Sequence, residues 1–234
     1  MRAFACVIAL LVLCVGARGD DILAMPTANM LDRGQMEFAY YHVDLPAPHG
    51  GPENIEAQVL YAGLTDYIEL YAQRIAIDKD VTSVVLNGDL RLMKETPTTP
   101  QMVIGCRNIG ATPTTNNPPF GTINYRARSA NQSYYFCTYR TFYLKDAGQP
   151  PFIKLHACVG TSDWTLGLQR RHDGLFGGIQ ALITPYLGVV ALYDGADSIT
   201  GVAIAPGPPG LAIRAGMFSD SFYVGVAYRW GGMW

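Results

Sequence analysis

Apolar and polar residues alternate along most of this chain, in runs of about ten residues rich in Tyr, Val, Ile, Phe and Leu. Ile55, Ala57 and Val59, for example, are each separated by one polar residue. Because successive side chains of a β-strand point to opposite faces, this period of two predicts strands with one apolar and one polar face. Helical periodicity is hard to find, so the pattern predicts an all-β fold.

The alternating runs predict about twelve strands. They span residues 35–45, 53–63, 66–76, 82–93, 101–109, 133–144, 151–161, 174–183, 186–194, 198–204, 208–217 and 220–230. Strands of about 9 to 11 residues can cross a bilayer when tilted, whereas strands of soluble sandwiches are shorter, about 5 to 6 residues. We therefore expect an antiparallel up-and-down transmembrane β-barrel, with residues 20–234 as its single domain.

The connections between these strands also fit a barrel. If both termini lie in the periplasm, the periplasmic connections are all short, and the external ones include the longest segment, Gly110 to Gln132. That segment is rich in Pro, Asn and Gly, as expected of an exposed loop. Bacterial outer-membrane barrels combine short periplasmic turns with longer external loops.

The first 19 residues have the parts of a secretory signal peptide. Arg2 is followed by an apolar run from Ala3 to Val15, and small residues follow up to Ala17 and Gly19, near either of which we expect cleavage. A run of about 13 apolar residues is too short to span a bilayer as a helix. We therefore predict export to the bacterial outer membrane.

Composition narrows the functional classes. The chain has 17 Lys and Arg against 19 Asp and Glu, and only 15% of its residues are charged. A nucleic-acid-binding protein would show a basic patch, and a disordered chain would combine low hydrophobicity with high net charge. The charge balance therefore argues against both classes.

Without the signal peptide, three cysteines remain, Cys106, Cys137 and Cys158, whose connectivity the sequence leaves open. The strand phase predicts that Cys106 and Cys137 both point outward.

Charged residues of both signs occupy the polar face of the predicted strands. In a membrane barrel the apolar face contacts lipid, so the polar face would line the lumen. The predicted lumen-lining residues are Glu37, Glu56, Glu69, Asp89, Arg91, Arg107, Arg140, Lys154, Arg214 and Arg229. If the protein is instead a soluble barrel or sandwich, the same residues would form its solvated outer face.

Aromatic residues cluster toward the ends of the predicted strands, where membrane barrels carry interfacial girdles. They are Tyr40, Tyr41, Tyr61, Tyr67, Tyr71, Tyr134, Tyr135, Tyr143, Tyr186, Tyr193, Tyr228, Trp230 and Trp234. The aromatic last residue resembles the signal by which outer-membrane barrels are recognised for insertion. We therefore expect membrane lipid, lipopolysaccharide and the outer-membrane assembly machinery as partners.

Three segments resemble bacterial outer-membrane barrels of the YjbH-like kind. Residues 25–34, followed by Glu37 to Tyr41, look like the opening of these proteins up to their first strand. Residues 63–70 are similar to their second hairpin, and residues 192–197 to a hairpin near their C-terminus, with Leu192 in place of the usual acidic residue. Proteins of this kind are associated with exopolysaccharide export or are barrels without an assigned role, so the resemblance implies a location and a fold more than a substrate.

Candidate catalytic and metal-binding residues are few. His156 and Cys158 share a strand face, as a base and a nucleophile would, but no accompanying motif of a barrel hydrolase is present. Asp194 and Asp197 flank a short turn that could meet Ca²⁺, although Asp is common in turns anyway. We therefore predict no enzymatic activity, no cofactor and no metal.

The sequence thus predicts a porin-like outer-membrane barrel, acting as a narrow pore or as an envelope or exopolysaccharide-associated component. A barrel of about twelve strands is close to the size at which side chains fill the interior. A polysaccharide or a small solute is the expected ligand. Two alternatives remain open, a hydrolase built on an outer-membrane barrel and a secreted soluble β-protein that binds carbohydrate.

Overall fold

The computed structural model describes residues 25–44, 54–77, 81–109, 132–162, 165–166, 169–207 and 210–231. The predicted signal peptide, most of the predicted long loop and Trp234 lie outside these residues. Within them, no helix is long and apolar enough to span a membrane.

The described residues form fourteen strands and no helix. The strands are β1 (Gln35–Asp44), β2 (Asn54–Gly63), β3 (Ile68–Ile77), β4 (Val81–Met93), β5 (Gln101–Arg107), β6 (Ser133–Tyr143), β7 (Phe152–Thr161), β8 (Thr165–Leu166), β9 (Gln169–Arg170), β10 (Gly174–Thr184), β11 (Leu187–Tyr193), β12 (Ser198–Ile204), β13 (Leu211–Phe218) and β14 (Ser221–Gly231).

Twelve of the strands close into one antiparallel barrel. Each barrel strand pairs with its neighbour in the chain, and β1 pairs with β14 to close the sheet, for example at Gln35 and Gly231. This confirms the predicted all-β, antiparallel barrel of about twelve strands. The pair β8 and β9 forms a separate two-residue hairpin between β7 and β10, too short for an alternating pattern to predict.

Strand direction alternates around the barrel, so the connections lie at two ends. We call the end that carries residues 35 and 231 the terminal end. It also holds the connections that join β2 to β3, β4 to β5, β6 to β7, β10 to β11 and β12 to β13. Among the described residues, the opposite, distal end holds β8 and β9 between β7 and β10, residues 171–173 before β10, and residues 194–197.

The two faces of the barrel wall have opposite polarity. Large apolar side chains cover the outer face, and Leu175 and Val84 are 77% and 70% exposed. On the interior face, Arg214 and Glu69 are only 1% and 2% exposed, among tyrosines and small apolar residues. The apolar set of the alternating pattern therefore points out of the barrel, and much of the charged set points in.

Interior glycines make room for the tyrosine rings of neighbouring strands. Gly105 in β5 pairs with Tyr135 in β6, and the Tyr135 ring lies where a Cβ of residue 105 would be. The Tyr135 hydroxyl donates to Asp89 and lies 3.2 Å from the Tyr71 hydroxyl. The absence of a side chain at Gly105 is thus required for this buried polar network.

A methyl group at Gly105 should therefore destabilise the barrel. In Gly105→Ala the new Cβ would overlap the Tyr135 ring and Asp89 Oδ1, and overpacking of this kind costs about 1–3 kcal/mol. The matched control is Gly188→Ala, also buried, where a Cβ would approach no atom closer than 3.5 Å. We expect the urea midpoint of refolded protein in micelles to fall for Gly105→Ala only. Equal midpoints for both variants would contradict this packing.

Candidate functional site

Eight of the ten predicted lumen-lining residues lie on the interior face of the barrel. They are Glu37, Glu69, Asp89, Arg91, Arg107, Lys154, Arg214 and Arg229. The first seven are at most 7% exposed, and the Arg229 side chain is 16% exposed. The structure therefore brings charges of both signs into one enclosed space.

Glu56 and Arg140 do not lie in the interior, which corrects their predicted placement. In β2 the interior positions are apolar, so Ile55 and Ala57 are buried and Glu56 lies on the outer face. In β6 both faces carry Tyr and Thr, which makes the phase of the alternation ambiguous. Arg140 lies on the outer face and donates to backbone carbonyl groups in the connection between β4 and β5.

The predicted aromatic girdle divides in a similar way. Tyr41, Tyr61, Tyr71 and Tyr135 are buried in the interior. On the outer face, exposed aromatic residues include Phe142, Tyr228 and Trp230 near the terminal end, and Tyr134, Tyr193 and Phe222 toward the distal end. Tyr143 instead has the interior phase of β6, and Tyr186 lies in the turn between β10 and β11. Period-two alternation of Tyr with other apolar residues does not distinguish the two sets.

A segment before the first strand lies inside the barrel. We call this segment, residues 25–31, the plug. Met25, Thr27, Ala28 and Leu31 are all at most 4% exposed, because the barrel wall surrounds them. The plug has no alternating pattern, and the family resemblance of residues 25–34 concerned only the start of the chain. The sequence analysis therefore did not predict that these residues enter the lumen.

Side chains of the barrel wall hold the carboxyl-terminal half of the plug. The Leu31 amide donates to Glu69 Oε2 at 2.6 Å, and Arg91 Nη2 donates to the Met30 carbonyl at 3.1 Å. Lys154 Nζ donates to Asn29 Oδ1 at 2.7 Å. Three of the predicted lumen residues therefore bind the plug.

A disulfide lies in the interior at the amino-terminal half of the plug. Cys137 and Cys158 are directly opposite each other in β6 and β7, and their sulfurs are bonded. Cys137 thus points inward, contrary to its predicted phase, whereas Cys106 on the outer face is a free thiol. Because the Cys158 sulfur is bonded, it is not the free nucleophile that pairing with His156 would require.

A cavity of about 270 Å³ opens at the terminal end, between the plug and the barrel wall. Its lining includes Glu37, which forms ion pairs with Arg214 at 3.4 Å and with Arg229 at 2.5 Å. Arg91 also lines it and lies 3.3 Å from Asp32. Opposite charges therefore compensate each other around the cavity.

Toward the distal end, a second charged cluster lies in the interior. Arg171 forms ion pairs with Asp194 at 2.6 Å and with Asp197 at 2.5 Å. Asp194 also accepts hydrogen bonds from the backbone amides of residues 196 and 197. The two aspartates of the predicted turn thus have the Arg171 guanidinium as their partner. Within the described ranges, no group of three or more His, Cys, Asp or Glu side chains could hold a metal.

His172, next to Arg171, is buried against a second guanidinium. Arg107 Nη1 lies 2.5 Å from His172 Nδ1, and Arg107 also contacts Gln73 Oε1 at 3.3 Å. Burial, reinforced by the positive charges of Arg107 and Arg171, lowers the pKa of His172 well below its usual value. The neutral imidazole can therefore accept a hydrogen bond from Arg107.

This geometry predicts a stability that decreases in mild acid. Because the pKa of His172 is lower in the folded than in the unfolded protein, the unfolded chain binds the proton first as pH falls below about 6.5. The group contributes a slope of up to about 1.4 kcal/mol per pH unit until the folded pKa is reached. Asn tolerates the positive φ of this residue. In His172→Asn we therefore expect the urea midpoint to change less between pH 7 and pH 5 than it does in the parent protein.

The control for this measurement is His42→Asn, on the outer face, where the side chain is 31% exposed. We expect it to keep the pH dependence of the parent protein. A His172→Asn profile that matches the parent would refute the role assigned to His172.

The chain matches no protein family model. No curated protein is significantly similar to it either. The fold and the interior geometry are therefore the basis for assigning a function.

Proposed function

We propose that this protein is a bacterial outer-membrane β-barrel whose lumen is a narrow pathway for small solutes, closed at rest by the plug. The reversed polarity of the barrel wall carries this proposal. Exposed apolar patches larger than a few hundred Å² are rare on soluble monomers, because each Å² exposed to water costs about 25 cal/mol. Lipid removes that cost, and the charged side chains are paired inside.

Two further observations support the same location. The exposed aromatic residues lie toward both ends of the outer face, as at the two interfaces of a bilayer. The bond between Cys137 and Cys158 is of the kind that forms in the periplasm and other oxidising compartments. A secreted soluble carbohydrate-binding protein would instead need its apolar face turned inward.

The interior charges suggest the class of solute. Among the eight predicted lumen residues that lie inside, five are cationic and three are acidic. Rings of cationic side chains favour anions in pores. We therefore propose that the open pathway prefers small anions over cations, with large solutes excluded by the filled interior.

The location can be tested by fractionation combined with gel mobility. We expect the mature protein to partition with the outer membrane and to migrate differently before and after boiling, because closed barrels resist detergent until heated. Protein that stays in solution without detergent and shows no mobility change would argue against a membrane barrel.

Conduction should increase when the plug is held less tightly. The Gln101 side chain donates to the Ala28 carbonyl, so Gln101→Ala removes one tether of the plug. In planar bilayers we expect few openings for the parent protein and about fivefold more for the variant, since a typical hydrogen bond contributes about 1 kcal/mol. Gln58→Ala, on the outer face of β2, is the matched control and should behave like the parent. Equal open probability in all three proteins would remove the gating role of the plug.

A further inference from the structure

The barrel wall contacts mainly the backbone of the plug, and it does so at every second residue. The carbonyl oxygens of Pro26, Ala28 and Met30 all face groups of the barrel wall. The segment is not a strand of the barrel sheet, because its backbone bends at Ala28 and the Asn29 amide donates to Thr27 Oγ1 at 3.1 Å. The plug is therefore a bent segment whose alternate carbonyl groups face the wall.

The groups that contact these carbonyls come from consecutive strands. Arg91 in β4 donates to the Met30 carbonyl, and Gln101 in β5 donates to the Ala28 carbonyl. The bonded sulfurs in β6 and β7 lie 3.7 and 3.8 Å from the Pro26 carbonyl, which are contact distances. The interior wall from β4 to β7 thus contacts three successive alternate carbonyl groups of the plug.

Side chains of the plug add selectivity at two positions. Ala28 is fully buried, so the wall leaves space for a small residue there. Asn29 Oδ1 accepts from Lys154, and the buried Nδ2 of Asn29 has no hydrogen-bond partner among the described residues. Main-chain contacts give affinity for many sequences, whereas side-chain pockets restrict which sequences fit.

We propose that the interior wall of β4 to β7 is a binding site for peptides that adopt the bent conformation of the plug, occupied in this structure by the chain's own plug. A peptide in trans with a small residue at the position of Ala28 competes with the plug for this wall. The inference rests on the proposed function in one respect, the release of the plug from the lumen. Binding itself does not depend on conduction or on a particular membrane.

The turn that joins the plug to β1 makes this testable. Asp32 and Arg33 are exposed, and Gly34 has a positive φ of 76°. A protease site inserted between residues 33 and 34 can be cut after the full chain has folded and formed its disulfide. The plug is then no longer covalently attached to the barrel. The barrel has nevertheless folded with the plug in place.

The probe is a synthetic peptide of residues 25–32, labelled at its carboxyl end, and the readout is fluorescence anisotropy in micelles. We expect saturable binding to the cut barrel and little binding to the uncut one. Ala28→Trp in the peptide should weaken binding at least about tenfold, because the buried position holds no larger side chain. Gln101→Ala in the barrel should weaken binding about fivefold, and Gln58→Ala should not.

Gel filtration of the cut protein provides a second measurement. The released fragment can exchange too slowly for the labelled peptide to enter. In that case we expect the fragment to co-elute with the parent barrel and to be lost more readily from the Gln101→Ala barrel. Either behaviour supports the site. Heat-dependent gel mobility and the intact disulfide confirm that the cut barrel is still folded.

The proposal is overturned if the fragment dissociates and the labelled peptide then fails to bind the folded, cut barrel. It is also overturned if a scrambled peptide or the Ala28→Trp peptide binds as well as the native sequence. Failure of the pore is a separate result, since peptide binding in micelles can persist in a barrel that never conducts. Conduction without peptide binding would leave the proposed function standing and remove only this site.

Discussion

Pairing of polar groups inside a closed sheet is the constraint on which this structure depends. Every one of the twelve barrel strands has a hydrogen-bonded neighbour on both sides, so the barrel sheet has no free edge. The apolar set then faces outward, which leaves many charged side chains in an enclosed interior. Buried charges are costly unless they are paired and hydrogen-bonded. Glu37 between Arg214 and Arg229, and Arg171 between Asp194 and Asp197, meet this requirement.

The plug belongs to the same system of pairs. Its backbone and one side chain supply partners to Glu69, Arg91, Gln101 and Lys154. A barrel with an empty lumen would have to satisfy these groups with water. The plug is therefore part of the polar interior of the barrel rather than a separate appendage, although its only covalent link to the sheet is the turn before β1.

Alternation alone predicted the fold well, because each strand of a closed antiparallel barrel carries its own period-two pattern. All twelve barrel strands lie within three residues of their predicted bounds. The interior was harder to predict. Where one strand has similar residues on both faces, as around Arg140, or apolar residues inside, as around Glu56, the phase cannot be read from polarity. The plug could not be predicted, since its contacts come from residues 38 to 132 positions away and involve mainly its backbone.

The same backbone contacts link closure of the lumen to ligand binding. Removing the plug exposes Gln101 and Arg91 as donors and Glu69 as an acceptor, at the places taken by the carbonyl groups of residues 28 and 30 and the amide of residue 31. A small anion could satisfy the cationic groups but would leave Glu69 without its amide donor. A peptide in the conformation of the plug satisfies both kinds of group at once. The plug therefore displays the chemistry of the ligand that fits the wall best, and a ligand of that kind would compensate the cost of displacing it.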